Sequence, residues 1–144
     1  MRNFALAALA SLTATVHAGT IVPLHPENWH QHITPDADEA SERMPVIFTV
    51  QGCKHCSAMM QMMGALAVHL SQDGDPRVGH VDATKHNGIA RTFGLMKFPW
   101  ILLFDGVRYY EYRDQRHLPS LLAFARGGHL AQGSDGRVPR QLQP

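Results

Sequence analysis

Val46-Ile47-Phe48-Thr49-Val50-Gln51-Gly52-Cys53-Lys54-His55-Cys56-Ser57-Ala58-Met59 is the stretch that decides the fold. Its first five residues are β-branched and almost continuously apolar, the composition of a central strand covered on both faces. From Cys53 to about Leu70 there is no proline and one glycine, and Met59, Met62, Met63, Leu66 and Leu70 follow helical spacing. The strand therefore hands over directly to one long amphipathic helix. Cys53 and Cys56 fall in that handover, between a central strand and a helix, which is where open α/β sheets place their chemistry.

Upstream, Thr20 to Leu24 reads as a short strand and Pro26-Glu27-Asn28-Trp29-His30 as the first turn of a helix, with proline early and an acid near the positive end. Residues 33 to 44 turn polar and acidic, which predicts a helix end and an exposed loop. Downstream, Val78 to Val81 is a weaker strand, and Asn87 to Phe93 is a short helix closed by Gly94. Trp100 to Phe104, Asp105-Gly106, then Val107 to Tyr112 is a hairpin signal. Leu118, Leu121, Leu122 and Ala125 mark a last helix. Residues 131–144 carry little apolar content and predict a flexible C-terminal tail. The order of elements implies an α/β fold in which a mixed sheet of about five strands has helices on both faces.

The 144 residues, 44% of them apolar, suit one domain at 19–130 with its own core. Thirteen basic against twelve acidic side chains lack the one-sided excess that phosphate backbones select, so no nucleic-acid partner is expected. At the start of the chain Arg2 precedes an Ala-rich apolar run from Phe4 to Val16, which ends in Val16-His17-Ala18 before Gly19. Residues 1–18 thus read as a cleavable signal peptide, too short to cross a bilayer as an anchor, so no stable membrane insertion is expected after cleavage. The mature chain is expected to work in an oxidising compartment, where disulfides persist.

With only two cysteines, a four-thiolate iron–sulfur cluster is excluded, and Ser57 after Cys56 breaks the haem-attachment pattern. His69 stands at zinc-finger spacing from Cys56, but Asp73-Gly74-Asp75 occupies the place of a second histidine. A purely structural bridge is a weak alternative, because closing so short a loop removes little entropy from the unfolded chain. Redox chemistry explains the arrangement better. A Cys53 that caps the helix would direct its sulfur at unpaired backbone N–H groups and the positive end of the helix dipole, beside Lys54 and His55; all of these favour thiolate. Cys56 lies about one turn deeper on the same face, within bridging reach. Cys53 is therefore the expected nucleophile and Cys56 the resolving thiol. The methionines at 59, 60, 62 and 63 read mainly as core filling, with an adaptable client surface as the alternative. His25, His30 and His32 read as a solvated face rather than a metal site.

These residues resemble the thioredoxin superfamily, and more narrowly a single catalytic domain of the protein disulfide isomerases. The resemblance runs from about Ile21 to Gly128. Besides the cysteine motif it rests on Leu24-His25-Pro26-Glu27-Asn28-Trp29, Val81-Asp82-Ala83-Thr84, Phe93-Gly94-Leu95-Met96-Lys97-Phe98-Pro99, Phe104-Asp105-Gly106, and Tyr112 followed by Arg116. It implies a thioredoxin-like fold, an isomerase-type His55 between the cysteines, a cis-proline at Pro99 facing the pair, and an Arg116 that swings toward the second cysteine. Gly52, Gln61 and Trp100 depart from the family pattern. So does Ile47, which stands where the family buries a proton-handling acid; His80 stands near the place of that acid's lysine partner and is the expected substitute base.

The resulting expectation is a thiol-disulfide oxidoreductase and isomerase for cysteine-containing secretory proteins, needing no bound cofactor, with a redox partner protein as a further expected partner. Two alternatives stand beside it: a thioredoxin-like reductase, and a non-enzymatic client-binding module. The closing residues Gln141-Leu142-Gln143-Pro144 are no endoplasmic-reticulum retrieval signal, which leaves lumen, secretion and bacterial periplasm open.

Overall fold

The computed structural model describes residues 19–36, 43–75 and 77–144. The signal peptide expected at 1–18 lies outside the described residues, as does most of the expected acidic loop. In chain order the elements are β1 (Thr20–Pro23), α1 (Trp29–His32), β2 (Met44–Thr49), α2 (Lys54–Gln72), β3 (Arg77–Asp82), α3 (Asn87–Thr92), β4 (Trp100–Asp105), β5 (Arg108–Glu111) and α4 (Leu118–Ala125). A 3-10 turn at Gly128–Gln132 and a short β6 (Gly136–Arg137) follow.

The strands form one sheet in the order β1-β3-β2-β4-β5-β6. β2 lies inside it, parallel to β3 and antiparallel to β4. All six of its residues are buried, the physical reason for its unbroken apolar run. Strand alternation divides that run between two cores. Val46 and Phe48 pack with Leu24, Trp29, Ile89 and Phe104, under α1 and α3. Ile47 turns the other way, with Val78 and Ile101, against Met59, Met63 and Leu66 of α2 and Leu121 of α4. This is the thioredoxin fold, a mixed sheet with helices on both faces.

Two expectations need local correction. Pro26–Asn28 form a turn rather than helix, and α1 begins at Trp29, where the indole is fully buried. The β4–β5 connection is Gly106-Val107, one residue later than read, with Gly106 at a positive φ of 59°. Glycine adopts that conformation without steric cost.

The C-terminal segment is the larger correction. Residues 131–144 do not dangle: β6 pairs with β5, which makes the sheet six-stranded, and the folded unit continues past residue 130. Val138 is buried and donates its N–H to Val107 O at 2.8 Å, Leu142 packs on the first core, and Gln143 N–H bonds Thr92 Oγ1 at 2.8 Å. Gly136 passes so close to Tyr109 that a Cβ there would sit 2.8 Å from the ring. Ala131, Val138 and Leu142 are too few apolar residues for a compositional signal; the segment is held by backbone pairing to a sheet edge that would otherwise be open.

His129 secures the approach to that segment. Fully buried, it bonds Phe124 O through Nδ1 at 3.0 Å and Asp105 Oδ2 through Nε2 at 2.9 Å, and Arg43 Nε donates to the same carboxylate oxygen at 3.1 Å. Its ring meets Tyr110 edge-on, with centroids 4.6 Å apart. His129→Ala is expected to lower the unfolding free energy by about 2 kcal/mol, the cost of leaving such partners unsatisfied. Urea denaturation reads it, and an unchanged midpoint would show that His129 does not anchor the segment.

Candidate active site

β2 ends at Thr49 and the chain reaches Cys53 through Val50-Gln51-Gly52. Two bonds from the loop after β3 fix this passage: Ala83 N–H to Thr49 O at 2.8 Å, and Gln51 N–H to Thr84 Oγ1 at 2.7 Å. Gly52 adopts a φ of +77°, a left-handed conformation that L side chains rarely take. The backbone thus gives its own reason for the glycine that departs from the family pattern.

Cys53 is the N-cap of α2, and its Sγ accepts a hydrogen bond from Cys56 N–H at 3.2 Å. Cys53 and Cys56 are joined by a disulfide, their Cα atoms 5.3 Å apart. Cys53 is partly exposed, whereas Cys56 is buried, with 6% exposure. Lys54 and His55 are both exposed on the first turn. In the reduced state the same geometry leaves the outer sulfur over the free N–H groups of a 19-residue helix. That favours its thiolate, while burial disfavours a charge on the inner sulfur.

Cys53, Cys56 and Lys54 line one open pocket with Thr49, Val50, Gly52, Ser57, Met60 and His80. His80 lies in register with Ile47 on the neighbouring strand and points to the same side of the sheet. Its Nε2 is 2.7 Å from Thr49 Oγ1. Burial holds the imidazole below the usual histidine range, against a smaller opposing pull from Asp82. Ile47 is fully buried among Met59, Met63 and Ile101 and presents no polar atom. Thr49 was not singled out from sequence; its signal was the one hydroxyl in the run Val46–Val50, two residues from Ile47 and so on the same face.

Two further expected site residues, Pro99 and Arg116, stand in the loops before β4 and after β5. The Phe98–Pro99 peptide is cis and Pro99 is buried. Both line a neighbouring pocket with Met59, Trp100, Glu111 and Tyr112. Met59 lines this pocket, and Met60, next to it on α2, lines the one with the cysteines. Arg116 is exposed there and does not line the cysteine pocket. Of the methionines, Met59 and Met63 are buried, and Met60 and Met62 pack half-buried against the same core. No grouping of three His, Cys, Asp or Glu side chains suited to a metal occurs among the described residues.

Comparison with known proteins agrees with the geometry. The Thioredoxin family model matches residues 20–127. Protein disulfide-isomerase TMX3 of Xenopus laevis is 33% identical over 81 residues, which are 56% of this chain and 18% of that protein. Protein disulfide-isomerase tigA of Aspergillus niger is 30% identical over 114 residues, 77% of this chain and 31% of that protein. The chain therefore spans less than a third of either relative. Among solved structures, the first thioredoxin domain of mouse protein disulfide-isomerase A4 superposes with a TM-score of 0.61 at 19% identity, covering 85% of this chain and 82% of that one. At that identity the likeness shows the fold alone.

In the reduced protein, iodoacetamide is expected to modify Cys53 well below the ordinary thiol pKa of about 8.5 and to leave Cys56 largely untouched. Peptide mapping by mass spectrometry across pH reads both sites. A Cys53 profile that superimposes on that of an unstructured peptide would contradict activation by the helix terminus.

Proposed function

The chain belongs to the thioredoxin family, and from that premise we propose that it is a thiol-disulfide oxidoreductase of the isomerase type, acting on cysteine-containing proteins of the secretory pathway. The observation that carries the proposal is the Cys53–Cys56 bridge at the head of α2, with one sulfur presented at the surface and the other buried beside it. Lys54, His55 and the cis-Pro99 are consistent with it.

Reduced Cys53 attacks a substrate disulfide as thiolate; one substrate sulfur leaves and takes up a proton, and the other stays bound to Cys53 in a mixed disulfide. Cys56, once deprotonated, attacks Cys53 Sγ. The Cys53–Cys56 bond forms, the mixed disulfide breaks, and the second substrate sulfur leaves as a thiol. The enzyme pair is then oxidised by two electrons and the substrate disulfide reduced. Run in reverse, the same steps deliver a disulfide to a dithiol substrate, and isomerisation is attack followed by rearrangement before Cys56 acts. Lys54 and His55 stabilise the Cys53 thiolate, which improves it as a leaving group. Arg116 stabilises charge near the pair by swinging toward Cys56.

The reading is tested with the mature chain on scrambled ribonuclease and on insulin. Wild type is expected to restore ribonuclease activity, Cys53→Ser to fall to the uncatalysed background, and Cys56→Ser to accumulate covalent mixed disulfides visible on non-reducing gels. Full client protection by Cys53→Ser would favour a non-enzymatic client-binding module instead.

Entry into the secretory pathway rests on the charged, apolar and small-residue succession over 1–18. Protein recovered from its native compartment is expected to have the intact mass of a chain starting at or near Gly19. Retention of residues 1–18 there would overturn the localisation.

A further inference from the structure

Resolution of the mixed disulfide needs a proton acceptor. Cys56 must lose its proton before it attacks, and its 6% exposure makes transfer to bulk water and formation of an isolated thiolate unfavourable. The acceptor must therefore lie in the pocket. Besides the two cysteines, the ionisable side chains lining it are Lys54 and His80. An ammonium has three donors and no lone pair to accept with, which leaves the imidazole.

We propose that His80, its ring fixed by the Thr49 hydroxyl, is the internal proton acceptor for Cys56 in the step that releases substrate. This deepens the oxidoreductase reading and rests on it. Thr49 and His80 continue the stripe of Ile47 and Val78 toward the C-terminal ends of β2 and β3, so the apolar floor beneath α2 becomes polar at the cysteine pair. His80 Nε2 lies 2.7 Å from Thr49 Oγ1, which orients the ring; to accept from Cys56 at Nδ1 the neutral ring carries its hydrogen on Nε2 and donates it to that hydroxyl oxygen. On β1 the register partner of His80 is Pro23, which carries no charge. Asp82 faces His80 from its own strand, and Lys54 and the cysteines face it from α2. Burial keeps the resting imidazole neutral at neutral pH, the form that accepts.

The step balances without an external reagent. The Cys56 thiol gives its proton to His80, and the imidazolium so formed stabilises the thiolate beside it. Cys56 Sγ attacks Cys53 Sγ, the substrate sulfur departs with the bonding pair, and His80 returns the proton to that sulfur. Cys56 is oxidised and the substrate sulfur reduced, and His80 ends as it began. Because the proton moves within the pocket, the population of the reactive thiolate–imidazolium pair does not depend on pH over the range between the titration of His80 alone and that of the coupled pair.

That independence supplies the test. A mixed disulfide of Cys53 with glutathione, held in acid, is jumped to values between about pH 5 and pH 8, the range in which a histidine titrates. Glutathione release is followed by acid quench and mass spectrometry. Wild type is expected to show a rate that rises and then levels off below about pH 6.5, the ordinary histidine value. His80→Gln is expected to lose the plateau, rise about tenfold per pH unit throughout, and be slower by about a hundredfold near pH 6, the lower range for a positioned acid or base. Thr49→Val is expected to keep a plateau at a reduced height. Each variant is checked for unchanged circular dichroism and melting before comparison. A His80→Gln profile that coincides with wild type would overturn the proposal, and a Thr49→Val profile that coincides with wild type would remove Thr49 as the positioning residue. Failure of wild type to release glutathione at any pH would instead overturn the oxidoreductase reading itself.

Discussion

The structure depends on one constraint: a sulfur must be held over the unpaired N–H groups at the first turn of α2 while the strand feeding that turn stays buried on both faces. A helix terminus offers free donors only if the entering chain does not fill them. β2 meets the requirement by ending at Thr49, three residues before a glycine that turns the backbone through a left-handed conformation. The Thr84 and Ala83 bonds from the next crossover loop tie that exit to β3, so the position of Cys53 is fixed by the sheet rather than by a free loop.

The same strand also sets the chemistry under the pair. Alternation sends Ile47 and Thr49 to the side of α2, and register brings His80 to that side from β3. An isoleucine there seals the core with Met59 and Met63 and puts no ionisable group at that position. The hydroxyl and imidazole one step farther along occupy the rim instead, where the pocket meets solvent. Packing and proton handling are thus separated along one stripe, apolar in the middle of the sheet and polar at its end.

Much of this was legible in the sequence because the strongest signals were local. The apolar run of β2, the proline-free heptad-like spacing of α2 and the Asp105-Gly106 turn each carry their structure within about a dozen residues. The first turn of α2 was legible too, since a CxxC at a strand-to-helix junction has few other physical readings. What escaped was non-local. β6 and the buried Val138 depend on the open edge of β5, from which they are separated by α4 and a 3-10 turn, and nothing in the composition of residues 131–144 reports that edge. His129 read as one histidine among ten; its side-chain partner Asp105 lies 24 residues away in sequence. Thr49 was hidden in a strand whose apolar character was the useful signal. Arg116 was placed by resemblance, and the structure shows it exposed after β5, lining a pocket with Met59 and Pro99.

The central claim is that Cys53 and Cys56 exchange disulfides with other proteins rather than brace the chain or only reduce substrates. The reduction potential of the pair tests it most directly, measured by equilibrating the mature protein with glutathione buffers of graded ratio and counting free thiols by mass. A thiolate stabilised at the helix terminus favours the reduced form, so the predicted value lies between about −230 and −180 mV, in the range of glutaredoxins and disulfide isomerases. A value at or below about −270 mV would contradict the account and make the chain a reductase or the bridge a structural one.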